Sequence, residues 1–250
     1  MCPDEMEGIF SRTEAVIGKE ALNHLSCCRV AVFGLGGVGA ACAEALVRGG
    51  VGNVAIIDHD IIKPSNLNRQ LIALHSTLGQ AKTEALRHRL LDINPDAKIT
   101  AYPLFYNNDT QGMIDLAAFD AAADCVDTLA SKLLLAKKSA GLALYLLSCM
   151  GTGNRLDPGR LRIADIYQTS VCPLARRMRK ACRDAEIPAL RVLYSDEEPI
   201  QAIAGSENGR HIPGSVSFVP PVAGMIMAGS IIQYLVRCCQ DSQRIAQEPS

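Results

Sequence analysis

Short apolar runs recur through the first two thirds of the chain, separated by stretches in which apolar positions return every three or four residues. Residues 29–33 (RVAVF) hold the β-formers Val30, Val32 and Phe33, and a second apolar run ends at Asp58. Residues 98–102, 119–126, 142–149 and 161–166 also read as strands. Between them lie helical patterns. Residues 79–93 set Ala81, Ala85, Leu86, Leu90 and Ile93 on one side of a helix that Asn94 and Pro95 end. Another helix follows Asp127 through Ala140, and residues 110–116 read as a short one. Ahead of the first strand, residues 12–25 carry Val16, Ile17, Ala21, Leu22 and Leu25 at helical spacing broken by Gly18, predicting one or two short helices over the sheet. Strand and helix in alternation predict an α/β fold, a Rossmann-like, doubly wound and mainly parallel sheet.

The alternation stops after residue 166. A basic helix opens at Pro173, and residues 195–213, rich in acidic residues, glycine and proline, read as a long mobile loop able to act as a lid. A short strand at 216–218 leads into an apolar helix over 219–236, and residues 240–250 read as a frayed tail. At 250 residues the chain is read as one domain. Its nucleotide-binding part covers about 12–153, and a C-terminal extension for substrate and lid covers about 154–240.

The richest chemistry follows the first strand. Gly34, Gly36 and Gly39, with Gly37 among them, form a turn whose backbone can approach a phosphate and lead into a helix N-terminus. Asp58 is placed to accept hydrogen bonds from ribose hydroxyls. The unit predicts a nucleotide without saying what is done with it. Beyond it the chain runs through His59, Asp60 and Pro64 into Ser65-Asn66-Leu67-Asn68-Arg69-Gln70. Ser65 can cap a short helix through Leu74, and a helix start rich in amides with an arginine is equally a second place to hold phosphate. Lys82 stands in a first helical turn, where the dipole disfavours a cation and an anionic ligand would favour one. Asp127 lies at the carboxyl edge of the sheet, where it either caps the next helix or ligates the Mg²⁺ that accompanies a nucleotide triphosphate.

A formal net charge of −1 argues against a globally basic nucleic-acid coat and leaves room for a local patch. Arg176, Arg177, Arg179, Lys180 and Arg183 are such a cluster, either a solvated helix face or a patch for an RNA backbone. The ten cysteines include no CxxC pair, and the N-terminal MCPDEMEGIF lacks the basic segment and apolar run of a signal peptide. Reduced thiols in a cytoplasmic protein are expected, and structural zinc is not, because the adjacent pairs Cys27-Cys28 and Cys238-Cys239 suit one tetrahedral site poorly. Cys172, ahead of Pro173 and near arginines, is the best thiolate candidate; its other reading is a small half-buried residue. Pro220, Pro221, Ser230, Gln233 and Tyr234 interrupt the run at 219–236, which reads as a buried helix of a soluble core and not a membrane span. Gly224, Ala228 and Gly229 permit close approach to it, within the fold or across a dimer.

Gly34-Leu35-Gly36-Gly37-Val38-Gly39, Asp58-His59-Asp60, Asn66-Leu67-Asn68-Arg69-Gln70, Gly79-Gln80-Ala81-Lys82 and Asp127 occur in an order and spacing that resembles the E1-like adenylating enzymes. These are the ubiquitin-activating enzymes and their bacterial relatives in thiamine and molybdopterin synthesis. Within that superfamily, residues 12–25, the turn at 151–158 and the runs Ile163-Ala164-Asp165-Ile166 and Pro173-Leu174-Ala175 look like the tRNA threonylcarbamoyladenosine dehydratase branch. The resemblance implies ATP-dependent activation of a carboxylate as an acyl-adenylate, with cyclodehydration of N6-threonylcarbamoyladenosine in tRNA as the reaction. It implies that Gly37 approaches the phosphates, Asp58 holds the ribose, Asn66 and Arg69 bind the phosphate chain, Lys82 neutralises it and Asp127 serves Mg²⁺. It implies a homodimer in which Arg12 of one subunit's N-terminal arm reaches the ATP of the other. Attack by the neighbouring carbamoyl closes a ring intramolecularly, so an enzyme thiol need not intervene.

Other readings stay open on the same residues. One is adenylation of the C-terminus of a ubiquitin-like sulfur-carrier protein, which would need a groove for a flexible Gly-Gly tail. Another is an NAD-dependent dehydrogenase, against which Arg69, Lys82 and Asp127 stand because a dinucleotide requires none of them. The last is a nucleotide-binding regulator without catalysis.

Overall fold

A computed structural model describes residues 8–142, 144–201, 206–207, 210–211 and 213–247. The chain begins with α1 (Ser11–Ile17) and α2 (Lys19–Cys27), parted at Gly18, whose φ of 85° suits glycine. Then come β1 (Arg29–Phe33), α3 (Gly39–Arg48), β2 (Asn53–Ile57), α4 (Lys82–Ile93) and β3 (Lys98–Tyr102). The second winding is β4 (Ala121–Asp124), α5 (Leu129–Leu142) and β5 (Tyr145–Cys149). It is followed by β6 (Leu161–Asp165), α6 (Pro173–Asp184), β7 (Arg191–Ser195), the short pair β8 (Ser206–Glu207) and β9 (Arg210–His211), and α7 (Val219–Gln247).

Seven strands form one sheet in the order β3-β2-β1-β4-β5-β7-β6. Every pairing from β3 to β7 is parallel, and β6 closes the edge antiparallel to β7. The expected doubly wound, mainly parallel sheet is thus observed. Its order reverses between β1 and β4, and a crevice outside their carboxyl ends is where such sheets collect ligands. Alternation along β1 feeds both faces: Val30 and Val32 pack with Leu46 of α3 and Met227 of α7, while Ala31 and Phe33 join Leu135 of α5 and Met178 of α6.

Three stretches differ from the sequence reading. β7 takes the edge of β5 that a strand at 216–218 would need, and those residues are irregular. The chain beyond residue 240 is helical to Gln247, continuing α7. Residues 110–116 give only the 3-10 turn Gln111–Met113, and a second 3-10 turn follows at Leu116–Ala118. The proposed lid at 195–213 lies partly outside the described residues; β8 and β9 fall within it. Val219–Asp241 has the length and composition of a membrane span. Yet Val219, Ala223, Met227, Ile231 and Leu235 form a buried stripe, and a Cβ on Gly224 would stand 2.8 Å from Ala41 Cβ of α3. The helix is therefore spent on the core.

Candidate active site

A cavity of about 290 Å³ opens where the sheet order reverses. Its floor is the glycine turn, and each glycine has a different reason to be there. Gly34 has φ 84°, and a Cβ would come 2.7 Å from the Cys125 carbonyl oxygen at the end of β4. A Cβ on Gly39 would overlap the Gly34 carbonyl where α3 begins. On Gly37 it would lie 2.9 Å from Pro220 Cβ and 3.2 Å from the Arg69 carbonyl oxygen. Gly36 alone meets nothing nearer than Gln70 Nε2 at 3.9 Å, so its missing side chain leaves room in the cavity. Gly37, expected to approach phosphates, lines the cavity but is also a packing glycine.

Asp58 lies just beyond β2 with both oxygens engaged: Leu35 N–H donates to Oδ2 at 2.6 Å and Asp60 N–H to Oδ1 at 2.8 Å. It pins the turn to β2 and retains lone pairs for a ligand. Lys82 is 5% exposed, with Nζ 2.8 Å from Asp60 Oδ2 and 3.7 Å from Asp58 Oδ2. The acidic pair, and not only a ligand, accounts for a cation at the start of α4. Burial would raise the Asp60 pKa, but the hydrogen bond and charge of Lys82 outweigh it and hold the carboxyl below its ordinary value.

The helix expected from Ser65 to Leu74 is absent. Instead a 3-10 turn spans Pro64–Asn66, and another spans His75–Thr77. The cap is Asn66, whose Oδ1 accepts from Lys63 N–H at 3.0 Å. Arg69 Nη1 donates to Ser65 O at 3.0 Å and Asn68 Oδ1 at 2.8 Å, leaving donors of its fork for a ligand. Asp127 is exposed on the cavity wall and accepts from Thr128 Oγ1 at 3.3 Å. Of the three cavity carboxylates, Asp58 and Asp60 are engaged with Lys82, so Asp127 has the capacity for a cation. The structure brings together Gly34, Gly36, Gly37, Asp58, Asn66, Arg69, Lys82 and Asp127 around the cavity. Arg12 is not among them: it is exposed on α1, whose Ser11 and Glu14 line a cavity with Arg29, Asn53 and Lys98, the first residues of β1, β2 and β3, at the other end of the sheet.

Two features escaped the sequence reading. Gln70 is 7% exposed and lines the cavity, and its buried Oε1 has no partner among the described residues. Its place in the Asn-Leu-Asn-Arg-Gln run was the available signal. Beneath the cavity, Asp124 and Lys132 form a fully buried pair at 3.2 Å. Lys132 Nζ also donates to Cys149 O at 2.6 Å, and Ser148 Oγ donates to Asp124, joining β4, α5 and β5.

Thiols do not complete the site. Cys125 on the cavity wall has a pKa well above the ordinary thiol, chiefly from burial, and burial pushes Cys149 up to about 12. Cys172, the N-cap residue of α6, is 2% exposed, buried further than the half-buried alternative expected for it. On α6, Arg176, Arg177, Lys180 and Arg183 are exposed, whereas Arg179 donates to Thr169 O.

The ThiF family matches residues 10–248. The chain is 39% identical over 240 residues to the tRNA threonylcarbamoyladenosine dehydratase of Bacillus subtilis, covering 91% of this chain and 94% of that protein. It is 30% identical over 207 residues to the adenylyltransferase and sulfurtransferase MOCS3 of Drosophila virilis, covering 83% of this chain and 40% of that protein. The crystal structure of E. coli tRNA N6-threonylcarbamoyladenosine dehydratase in complex with AMP matches with a TM-score of 0.88 at 24% identity, over 96% of this chain and 99% of that one. The same enzyme in complex with ATP gives 0.85 at 24% identity, over 99% and 100%.

Proposed function

The chain belongs to the ThiF family, and from that premise we propose that it is an ATP-dependent adenylating enzyme that converts N6-threonylcarbamoyladenosine in tRNA to its cyclic form. The observation that carries this reading is identity sustained over nearly the full length of the Bacillus dehydratase. The cavity supports it, because an arginine, a lysine and an exposed carboxylate surround a glycine turn.

In this reading the glycine turn approaches the phosphates of ATP, Asp58 holds the ribose, and Asn66 and Arg69 bind the phosphate chain. The substrate carboxylate attacks the α-phosphate, the bond to the β-phosphate breaks, and pyrophosphate leaves. Arg69 and Lys82 stabilise the charge that gathers on the departing group. Mg²⁺ held by Asp127 would supply further neutralisation of the phosphates. The neighbouring carbamoyl then attacks the activated carbonyl, AMP departs, and the ring closes at high effective molarity. The protein works as one adenylation domain in a cytoplasmic homodimer, where the partner subunit's Arg12 reaches the phosphates that its own subunit cannot.

The test is ATP–pyrophosphate exchange with tRNA carrying the modified nucleoside, together with the mass of the product nucleoside. Exchange that depends on the modification and a product lighter by one water are expected. The likeness to MOCS3 favours a second reading, adenylation of a sulfur-carrier protein. Exchange that responds to a carrier protein and never to modified tRNA would establish that reading instead.

A further inference from the structure

We propose that Arg155 binds an oxyanion of the tRNA substrate, beside the ATP cavity and distinct from it; this rests on the adenylating reading above. Arg155 lies in the loop that leaves the carboxyl end of β5, next to the β4 end that carries Asp127. It is 2% exposed, and among the described residues its buried Nε and Nη1 have no hydrogen-bond partner. A guanidinium keeps its charge at any physiological pH and presents five donors in a fixed fork. Leaving two of its nitrogens buried and unpaired is costly, so the position is explained by an anion that arrives with the substrate. Glu197, which touches the same loop, is engaged by the loop's backbone: the carboxylate accepts from the N–H groups of Leu156 at 3.0 Å and Asp157 at 3.1 Å.

The loop is held firmly enough to present the group. Asn154 has φ 56°, donates its N–H to Gly214 O at 2.8 Å, and accepts at Oδ1 from Gly214 N–H at 2.6 Å. A Cβ on Gly153 would stand 2.8 Å from Pro213 Cβ. One residue further, Ser215 O accepts from Asn68 Nδ2 at 2.9 Å, and Asn68 Oδ1 accepts from Arg69 Nη1 at 2.8 Å. The residue beside Arg155 is thus connected through 214–215 to the arginine assigned to the phosphates of ATP. Arg155 itself does not line that cavity, so its anion is one other than ATP. The modified RNA offers two of the same chemistry, the carboxylate of the threonyl group and a backbone phosphate.

Full-length wild type, Arg155→Met and Arg155→Lys are compared for affinity toward tRNA bearing N6-threonylcarbamoyladenosine and toward the same tRNA with plain adenosine. ATP affinity and thermal midpoint without RNA are measured alongside. Arg155→Met should weaken binding of the modified tRNA by roughly ten- to a hundredfold, the worth of a charge-assisted pair. Arg155→Lys should restore part of it. ATP affinity should not change, and the midpoint should hold or rise because an unpaired buried charge is gone. A loss confined to modified tRNA assigns the carboxylate, and an equal loss with both RNAs assigns a phosphate. Unchanged affinity for both RNAs in Arg155→Met, a lowered midpoint with equal losses in RNA and ATP binding, or an altered subunit number would each overturn the assignment. Wild type that neither binds nor converts modified tRNA would bring down the functional reading and this inference together, whereas active wild type with an unaffected Arg155→Met removes the inference alone.

Discussion

Asp124 and Lys132 form an ion pair with no access to water, and they do so directly under the carboxyl ends of β4 and β5. Removing one partner strands the other charge. Lys132→Met is therefore expected to destabilise the fold by about 3–5 kcal/mol, read from chemical denaturation, with a smaller loss when Asp124→Asn is added. A cost under about 1 kcal/mol would mean that water reaches the pair. The residues legible in the sequence were those whose type is dictated by local backbone geometry or by a motif: the glycines, Asp58, Asn66, Arg69 and Asp127. Lys82 was legible as a site residue, but its acidic partners lie more than twenty positions away and come near only through the β2 to α4 connection. Gln70, Lys132 and Arg155 were missed as buried groups because polarity along a sequence signals exposure until the fold encloses it.

Two elements show how packing supports the site. Glu44 of α3, 5% exposed, accepts from Arg48 at 2.9 Å and from Arg89 of α4 at 2.5 Å. Burial alone would raise its pKa, yet the hydrogen bonds from Arg89 and Arg48 hold it below the ordinary carboxylate value. A depressed folded-state pKa adds stability above the unfolded value, about 4.3, and that stability disappears as pH falls through the folded value. Glu44→Gln should thus cost about 1–2 kcal/mol near pH 7 and nearly nothing at strongly acid pH. A pH-independent difference between the two proteins would exclude an electrostatic clamp between α3 and α4. The glycine turn makes a sharper contrast. Gly39→Ala should fail to fold, since the new methyl overlaps the Gly34 carbonyl. Gly36→Ala should keep the wild-type thermal midpoint yet lose about tenfold or more in ATP affinity by displacing the phosphates. Equal stability losses in both would show that the turn is purely structural. Most helices and strands were readable from their periods; β7 was not, because five residues between a proline and an acidic loop carry too little pattern.

For the molecule as a whole, the separation between Arg12 and the cavity is the most consequential distance, since one chain cannot close it. If two subunits exchange their arms, Arg12→Ala and Arg69→Ala should each be inactive alone, and mixing them under conditions of subunit exchange should return about a quarter of wild-type exchange activity. That figure follows because half the dimers are hybrids and each hybrid has one intact site. No recovery on mixing, with exchange of subunits verified by mass, would mean that Arg12 does not act across the dimer, and an active Arg12→Ala would place it outside the reaction. The doubly wound sheet was foreseeable from the alternation of strand and helix. The antiparallel β6 was not, since its direction is fixed by β7, which lies later in the chain.

Gly37 touches Pro220, and Val38 and Ala41 meet Gly224. The glycine turn is thus walled from behind by the start of α7, although some 180 residues separate them. On the ribosome, the turn emerges long before its backing. A nascent chain carries the glycine turn for some 180 residues before the surface that backs it has emerged, so the turn takes its final shape only once the start of α7 is available to pack against it.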